Sequence, residues 1–154
     1  MRIRKAYKDE KTYRLVANDS SIFHWLSGFP AEPVKVLDHV RILHPYVDQY
    51  SFTYELKDHH FWTLMYSEVP MEALDNIDFL EGTHNDLFKR EEVLVERKTG
   101  EVIKAFMYVP TDNCKKYYEL DYLIYDRSSD DELQHAITLF YPKLVCNFPD
   151  LLNI

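Results

Sequence analysis

The stretch "PMEALDNIDFLEGTHNDLFKREEVLVERKTGEVIKAFMYV", residues 70–109, decides the fold because its hydrophobic period changes partway along. The first part reads as a helix. Pro70 sits where a first-turn proline is tolerated, and Met71, Leu74, Ile77 and Leu80 recur every three residues. Gly82, one of only three glycines, then stands where a helix C-terminus calls for a residue of positive φ. The spacing predicts a helix ending within two residues of Leu80. Beyond it, "REEVLVE" and "EVIKAFMYV" flank the turn "RKTG", the strongest hairpin signal in the chain.

Between helix and hairpin lies Glu81. A carboxylate at the negative end of a helix has its ionised form disfavoured, which raises its pKa, and partial burial acts the same way. A carboxyl poised nearer neutrality is what a general base requires. A glutamate beside a helix cap is more often an ordinary exposed residue, so the position permits a catalytic role without demanding it.

Outward from this stretch the pattern is mostly strand. "TYRLVA", residues 12–17, reads as a strand that stops at the polar turn "NDSS". "SIFHWLSGF" reads as a short helix or an irregular segment, ended by Gly28 and Pro30. A second strand is expected over 34–43. In "YSFTYEL", Tyr50, Phe52, Tyr54 and Leu56 alternate onto one face as in a half-buried strand. "FWTLMYSEV" follows a polar break at 57–60, and the two are expected to form a hairpin. Late in the chain Ser129 and Glu132 have capping-box spacing, opening a helix that runs to Tyr141 and stops at Pro142. The sum is about six strands and two or three helices: an α+β chain, residues 1–154, forming one domain.

Composition limits the function classes. A formal charge of −8 argues against a nucleic-acid partner, since phosphate binding needs clustered Lys and Arg. No apolar run of about eighteen residues is present, so no membrane span is expected, and the basic start "MRIRKAYKDEK" is not followed by a signal-type apolar stretch. Two cysteines, Cys114 and Cys146, are too few for a disulfide framework or a four-cysteine metal site, and a reducing cytoplasm is expected.

Several sites are set aside on chemistry. His59 and His60 are adjacent and point to opposite faces of a strand, and no H-E-x-x-H or C-x-x-C exists, so no metal is expected. Ser20 and Ser21 follow a strand, but the glycines of a nucleophile elbow are missing. Gly28 and Gly100 stand too far apart for a phosphate-cradling loop. The acidic run "SSDDEL" suits a helix N-terminus.

Residues 61–109 resemble the γ-glutamylcyclotransferase / AIG2-like superfamily. Leu74–Asp75 match its Leu-Asp, Glu81–Gly82 its Glu-Gly, and Phe88 with Arg90 its aromatic-x-Arg. "KAFMYV" looks like its second hairpin strand, with Tyr108 in the place of an active-site tyrosine. "KKYYELDYLI", with Tyr118, looks more loosely like its following tyrosine-bearing segment. The resemblance implies a small mixed β-barrel with helices packed outside it. It also implies a reaction in which the α-amine of a γ-glutamyl group attacks its own γ-carbonyl, releasing an amine and 5-oxoproline. By the resemblance Glu81 carries the proton from one amine to the other. Ring closure is already favoured by proximity, so neither cofactor nor metal is implied.

The chain departs from the family after its first strand, where backbone N–H groups are expected to receive the carbonyl oxygen. If Ala17 aligns with the family's aromatic residue, Asn18 replaces its glycine, Asp19 its small hydroxyl residue, and Ser20 the next position. Asn18 is then expected at positive φ, which asparagine tolerates, with the amides of Asp19 or Ser20 turned into the site. Asp19 would repel a substrate α-carboxylate by several kcal/mol at about 4 Å and an effective dielectric near 20. Phe88 lacks the hydroxyl often found at its place. Expected substrate-binding residues are thus Asn18, Asp19, Ser20, Phe88, Tyr108 and Tyr118, with Glu81 catalytic. Glu81 is expected in a cavity walled by 12–17, 61–68 and 101–109. The alternative is an altered member of the same fold that acts as a small-ligand-binding or protein-interaction module.

Overall fold

The computed structural model describes residues 11–18, 20–43 and 51–118. In chain order these form β1 (Thr12–Val16), α1 (Ser20–Trp25), β2 (Ala31–Leu43), β3 (Ser51–Pro70) and α2 (Met71–Glu81), followed by a 3₁₀ turn (Thr83–Asn85), β4 (Phe88–Arg97), β5 (Val102–Pro110) and α3 (Asp112–Tyr117). The strands close into a barrel in the order β1-β3-β2-β4-β5. All neighbours are antiparallel except β5 and β1, which meet in parallel through the single pair Leu15–Phe106. The barrel is therefore mixed, as the resemblance implied. The expected helix over 129–141, with its cap Ser129, and Cys146 lie outside the described residues.

The hairpin of β4 and β5 forms where "RKTG" predicts it. Its ladder runs without a break from Phe88–Pro110 to Glu96–Val102. Gly100, at φ 90°, turns the chain, and Arg97 N–H donates to Glu101 O across 2.8 Å.

The polar break at 57–60 is not a turn. Residues expected as two strands form one strand of twenty, and its hairpin partner is β2. The register passes from Leu37–His60 to His39–Glu55, so extra residues of β3 bulge opposite Asp38. Asp38 (φ 57°) and Asp58 (φ 67°) are both left-handed, and Asp58 N–H donates to Asp38 Oδ1 at 3.0 Å. Aspartate enters that conformation at modest cost, so the strand bends through a bulge and keeps its pairing on either side. The six expected strands thereby become five.

Alternation along the strands divides the apolar residues into two cores. Val16, Val36, Met65, Val95 and Met107, contributed by all five strands, pack with one another inside the barrel. Leu15, Leu64 and Tyr66, on the opposite face, pack against Ile22 and Phe23 of α1, Leu74 and Ile77 of α2, and Cys114 of α3. The helices therefore lie outside the barrel. None of the described helices is long and apolar enough to cross a membrane.

Helix α2 corrects the expected periodicity. Pro70, at φ −73° and ψ 157°, is the N-cap rather than the first helical residue. The buried positions are Leu74, Ile77 and Glu81, while Met71 and Leu80 are exposed. At about 100° per residue, Met71 and Leu80 fall on opposite sides of the helix, whereas Leu74, Ile77 and Glu81 lie within roughly 60° of one another. A three-residue count drifts off the core face, and Glu81, not Leu80, completes the inward stripe.

Gly82 stops α2 at φ 77° and ψ 34°, and its N–H returns to Phe79 O at 3.1 Å. A Cβ added there would meet Leu87 Cδ1 at 3.1 Å, on top of the cost of a left-handed backbone. Gly82→Ala should lower unfolding free energy by about 1–2 kcal/mol in urea titration. An unchanged midpoint would show that the cap does not hold the helix end.

Candidate active site

Glu81 is buried, with 7% of its surface exposed, although it is a carboxylic acid and ends a surface helix. Two local features put it there. The inward stripe of α2 reaches it, and the left-handed Gly82 carries the chain away at once. Its Oε1 accepts a hydrogen bond from the side-chain Nδ2 of Asn18 at 3.3 Å. Asn18, itself 1% exposed, stands just past the end of β1. The residue before it is anchored on both sides by β3: Ala17 N–H donates to Leu64 O at 3.0 Å, and Ala17 O accepts from Thr63 Oγ1 at 2.9 Å. The end of β1 and the end of α2 thus meet through these two side chains.

One turn before Glu81, Asp78 joins α2 to the hairpin. The Tyr108 hydroxyl donates to Asp78 Oδ1 at 2.5 Å, with Leu74 O a second acceptor at 3.3 Å. Arg90 of β4 holds the other carboxylate oxygen at 3.3 Å, and its guanidinium lies over the Phe106 ring, 5.4 Å from the centroid. Tyr108 and Arg90 are directly paired across the hairpin, which is why both reach one carboxylate. Burial, then the bond to Asp78, pushes the Tyr108 phenol well above its ordinary value, while Arg90 opposes the shift. Tyr108 is therefore a neutral donor. Negative charge on Glu81 adds to the upward shift, so the two groups sense each other.

The expected site residues separate into groups. Glu81 and Asn18 are in contact, and Tyr108 reaches the same helix end through Asp78. Phe88 and Tyr118 meet around Phe52, whose ring stacks on Phe88 at 6.0 Å and tilts against Tyr118 at 5.1 Å. Phe88 is buried there as core, so its missing hydroxyl matches its surroundings. Ser20 opens α1. Asp19 lies outside the described residues.

The expectation for Asn18 is corrected. Among the described residues, the non-glycine positions of positive φ are Asp38, Asp58 and Asp86, and Asn18 is not one of them. Its side chain faces Glu81, a contact that a glycine could not make. Asp78 is a residue of this cluster that the sequence reading missed. It lies three residues before Glu81, on the same side of the helix, and that spacing was the available signal.

Two grooves bounded by described residues lie elsewhere. The first, about 320 Å³, opens where β1 and β5 diverge below Leu15–Phe106 and is lined by Tyr13, Arg14, Glu92 and Lys104 among others. The second, about 450 Å³, lies beside Lys11, Glu72 and Asp75. Among the described residues no group of three His, Cys, Asp or Glu is placed to hold a metal ion. His59 Nδ1 instead lies 3.0 Å from Lys57 O on an exposed stretch of β3.

A model of the family described as gamma-glutamyl cyclotransferase, AIG2-like, matches residues 14–127. Among solved structures, the Arabidopsis thaliana protein At3g28950.1 is similar with a TM-score of 0.62 at 18% identity, over 94% of this chain and 84% of that one. A gamma-glutamyl cyclotransferase is similar with a TM-score of 0.54 at 15% identity, over 66% of this chain and 68% of that one. An AIG2-like protein from Mus musculus gives 0.51 at 13% identity, over 64% and 76%. At these identities the likeness is one of fold. No curated protein sequence matches the chain.

The Tyr108–Asp78 bond has a pH signature. Tyr108 has its pKa raised above the ordinary 10.0 in the folded state, so its contribution is complete below that value. Above it the unfolded chain releases a proton that the folded chain keeps, so stability falls as pH rises. Wild-type stability should decline more steeply between about pH 9.5 and 11 than that of Tyr108→Phe, which should be about 1–2 kcal/mol less stable at pH 7. Parallel curves would mean that the phenol is not held as described.

Proposed function

The chain belongs to the gamma-glutamyl cyclotransferase, AIG2-like family, and from that premise we propose that it is a γ-glutamyl (or γ-glutamyl-amine) cyclotransferase with Glu81 as acid and base. One observation carries this reading: Glu81, buried at the end of α2, faces the segment that follows β1. Burial and the negative end of the helix dipole are settings in which a carboxyl takes up a proton more readily.

The proposed reaction is intramolecular. The substrate's α-amine attacks its γ-carbonyl carbon, forming the C–N bond of a five-membered ring. Glu81 takes the proton that the amine must lose, and the carbonyl oxygen becomes an oxyanion. Collapse breaks the original amide bond. The proton on Glu81 then passes to the leaving nitrogen, giving a free amine and 5-oxoproline. Placing a general acid–base beside atoms already tethered in one molecule is most of what this reaction needs. Charge on the oxyanion calls for N–H donors, and we assign that role to the backbone N–H groups at Asn18 and Ser20, because the Asn18 side chain meets Glu81. We place the reaction in the cytoplasm, where the buried free thiol of Cys114 would stay reduced.

A specific observation favours a second reading. Asn18 does not take the left-handed turn expected of an oxyanion loop. A family member with that loop remodelled would bind a small γ-glutamyl-like ligand, or a protein partner, without turning over.

Glu81→Gln keeps the size of the side chain and removes the proton carrier. Release of 5-oxoproline from a panel of γ-glutamyl amino acids, γ-glutamyl amines and γ-glutamyl peptides should fall by about 10²–10⁴-fold. Equal rates in the two proteins would remove Glu81 from the mechanism. No turnover by wild type across the panel, with saturable binding of the same compounds in calorimetry, would establish the binding module instead.

A further inference from the structure

We infer that Asn18 is a positioning residue for Glu81, its side-chain amide fixing the carboxylate for proton transfer. The inference rests on the acid–base reading of Glu81. Asn18 Nδ2 reaches Oε1 of Glu81 at 3.3 Å, between side chains that are 1% and 7% exposed. Each partner comes from a fixed backbone. Asn18 follows Ala17, which β3 holds through Leu64 O and Thr63 Oγ1, and Glu81 precedes the left-handed Gly82. The pair therefore sets the direction of the carboxylate rather than merely filling space.

Two consequences follow from the chemistry of a carboxamide. Its NH₂ donates hydrogen bonds but takes no proton from an ammonium group at neutral pH, so it holds the carboxylate without competing for the proton. A donor to a carboxylate also favours the ionised form. Burial and the helix end both act the other way, so Asn18 keeps Glu81 ready to act as a base before the substrate's amine arrives.

Tyr108 from β5 senses the charge of Glu81 and bonds to Asp78 on α2 itself, and Arg90 from β4 pairs with Asp78. Tyr108 is neutral, and the charge of Asp78 is opposed by Arg90. An exchange of Asn18 for Ala consequently removes one donor and leaves these charges in place.

The test compares wild type, Asn18→Ala and the near-isosteric Asn18→Asp, each checked for folding by thermal melt. The Glu81 carboxyl is followed by ¹³C NMR titration, assigned with Glu81→Gln, beside the pH profile of kcat/KM for a γ-glutamyl substrate. Loss of a hydrogen bond to a charged group should raise the Glu81 midpoint by about 1–2 pH units in Asn18→Ala. It should rise further in Asn18→Asp, where a like charge is added, and the acid limb of kcat/KM should move with it. A purely structural Asn18 would lower the melting temperature and leave both the midpoint and the limb in place. That result overturns the inference even in an active enzyme, as does a displaced midpoint with an undisplaced limb. Absence of turnover in wild type fails the acid–base reading instead, and the assignment falls with it; the titration still reports whether the contact exists.

Discussion

A single left-handed residue governs where the Glu81 carboxylate lies. Gly82, at φ 77°, ends α2 abruptly, so the last helical side chain belongs to Glu81 and the next residues already turn toward β4. Had the helix run on, Glu81 would sit within a continuous surface helix whose last turn still needed capping. Ending it here places a carboxylate on the inward stripe at a point where the helix lends it no stabilising dipole. Such a placement costs stability, and proteins keep costly charge arrangements mainly where chemistry uses them.

The surrounding contacts hold that placement from two directions. From the hairpin, Tyr108 and Arg90 both reach Asp78, fixing the last turn of α2 against β4 and β5. From the barrel edge, Asn18 meets Glu81 directly, at the end of a strand anchored to β3. The barrel thus acts as a frame: β1 supplies one side of the site, β5 the other, and a parallel contact between them closes the ring. Neither side is preorganised alone, because a helix end held only by its own hydrogen bonds frays.

The legible parts of the sequence were those where one local rule dominates. A glycine after a helical stripe predicted the end of α2, and "RKTG" between alternating runs predicted the hairpin, since positive φ leaves few residue choices. The 57–60 segment misled for the same reason. A polar cluster containing aspartate reads as a turn, yet here two left-handed aspartates, Asp38 and Asp58, build a bulge inside a paired strand. Only the register on β2 distinguishes the two, and register is a long-range property. The catalytic role of Glu81 is a proposal, but its place at the end of α2 was legible. Asp78 was not, because its partners come from strands twelve and thirty residues away in sequence. The role of Asn18 was misread as a backbone conformation, when the contact that defines it is made by its side chain to a residue sixty-three positions on.

The central claim is that the reacting atoms sit between the Glu81 carboxylate and the segment following β1. The most direct measurement is a crystal structure of the protein soaked with 5-oxoproline, the proposed product. The account predicts the lactam N–H within hydrogen-bond reach of the Glu81 carboxylate and the ring carbonyl turned toward the backbone around Asn18 and Ser20. Product bound only at a place remote from Glu81, for instance in the groove between β1 and β5, would contradict it.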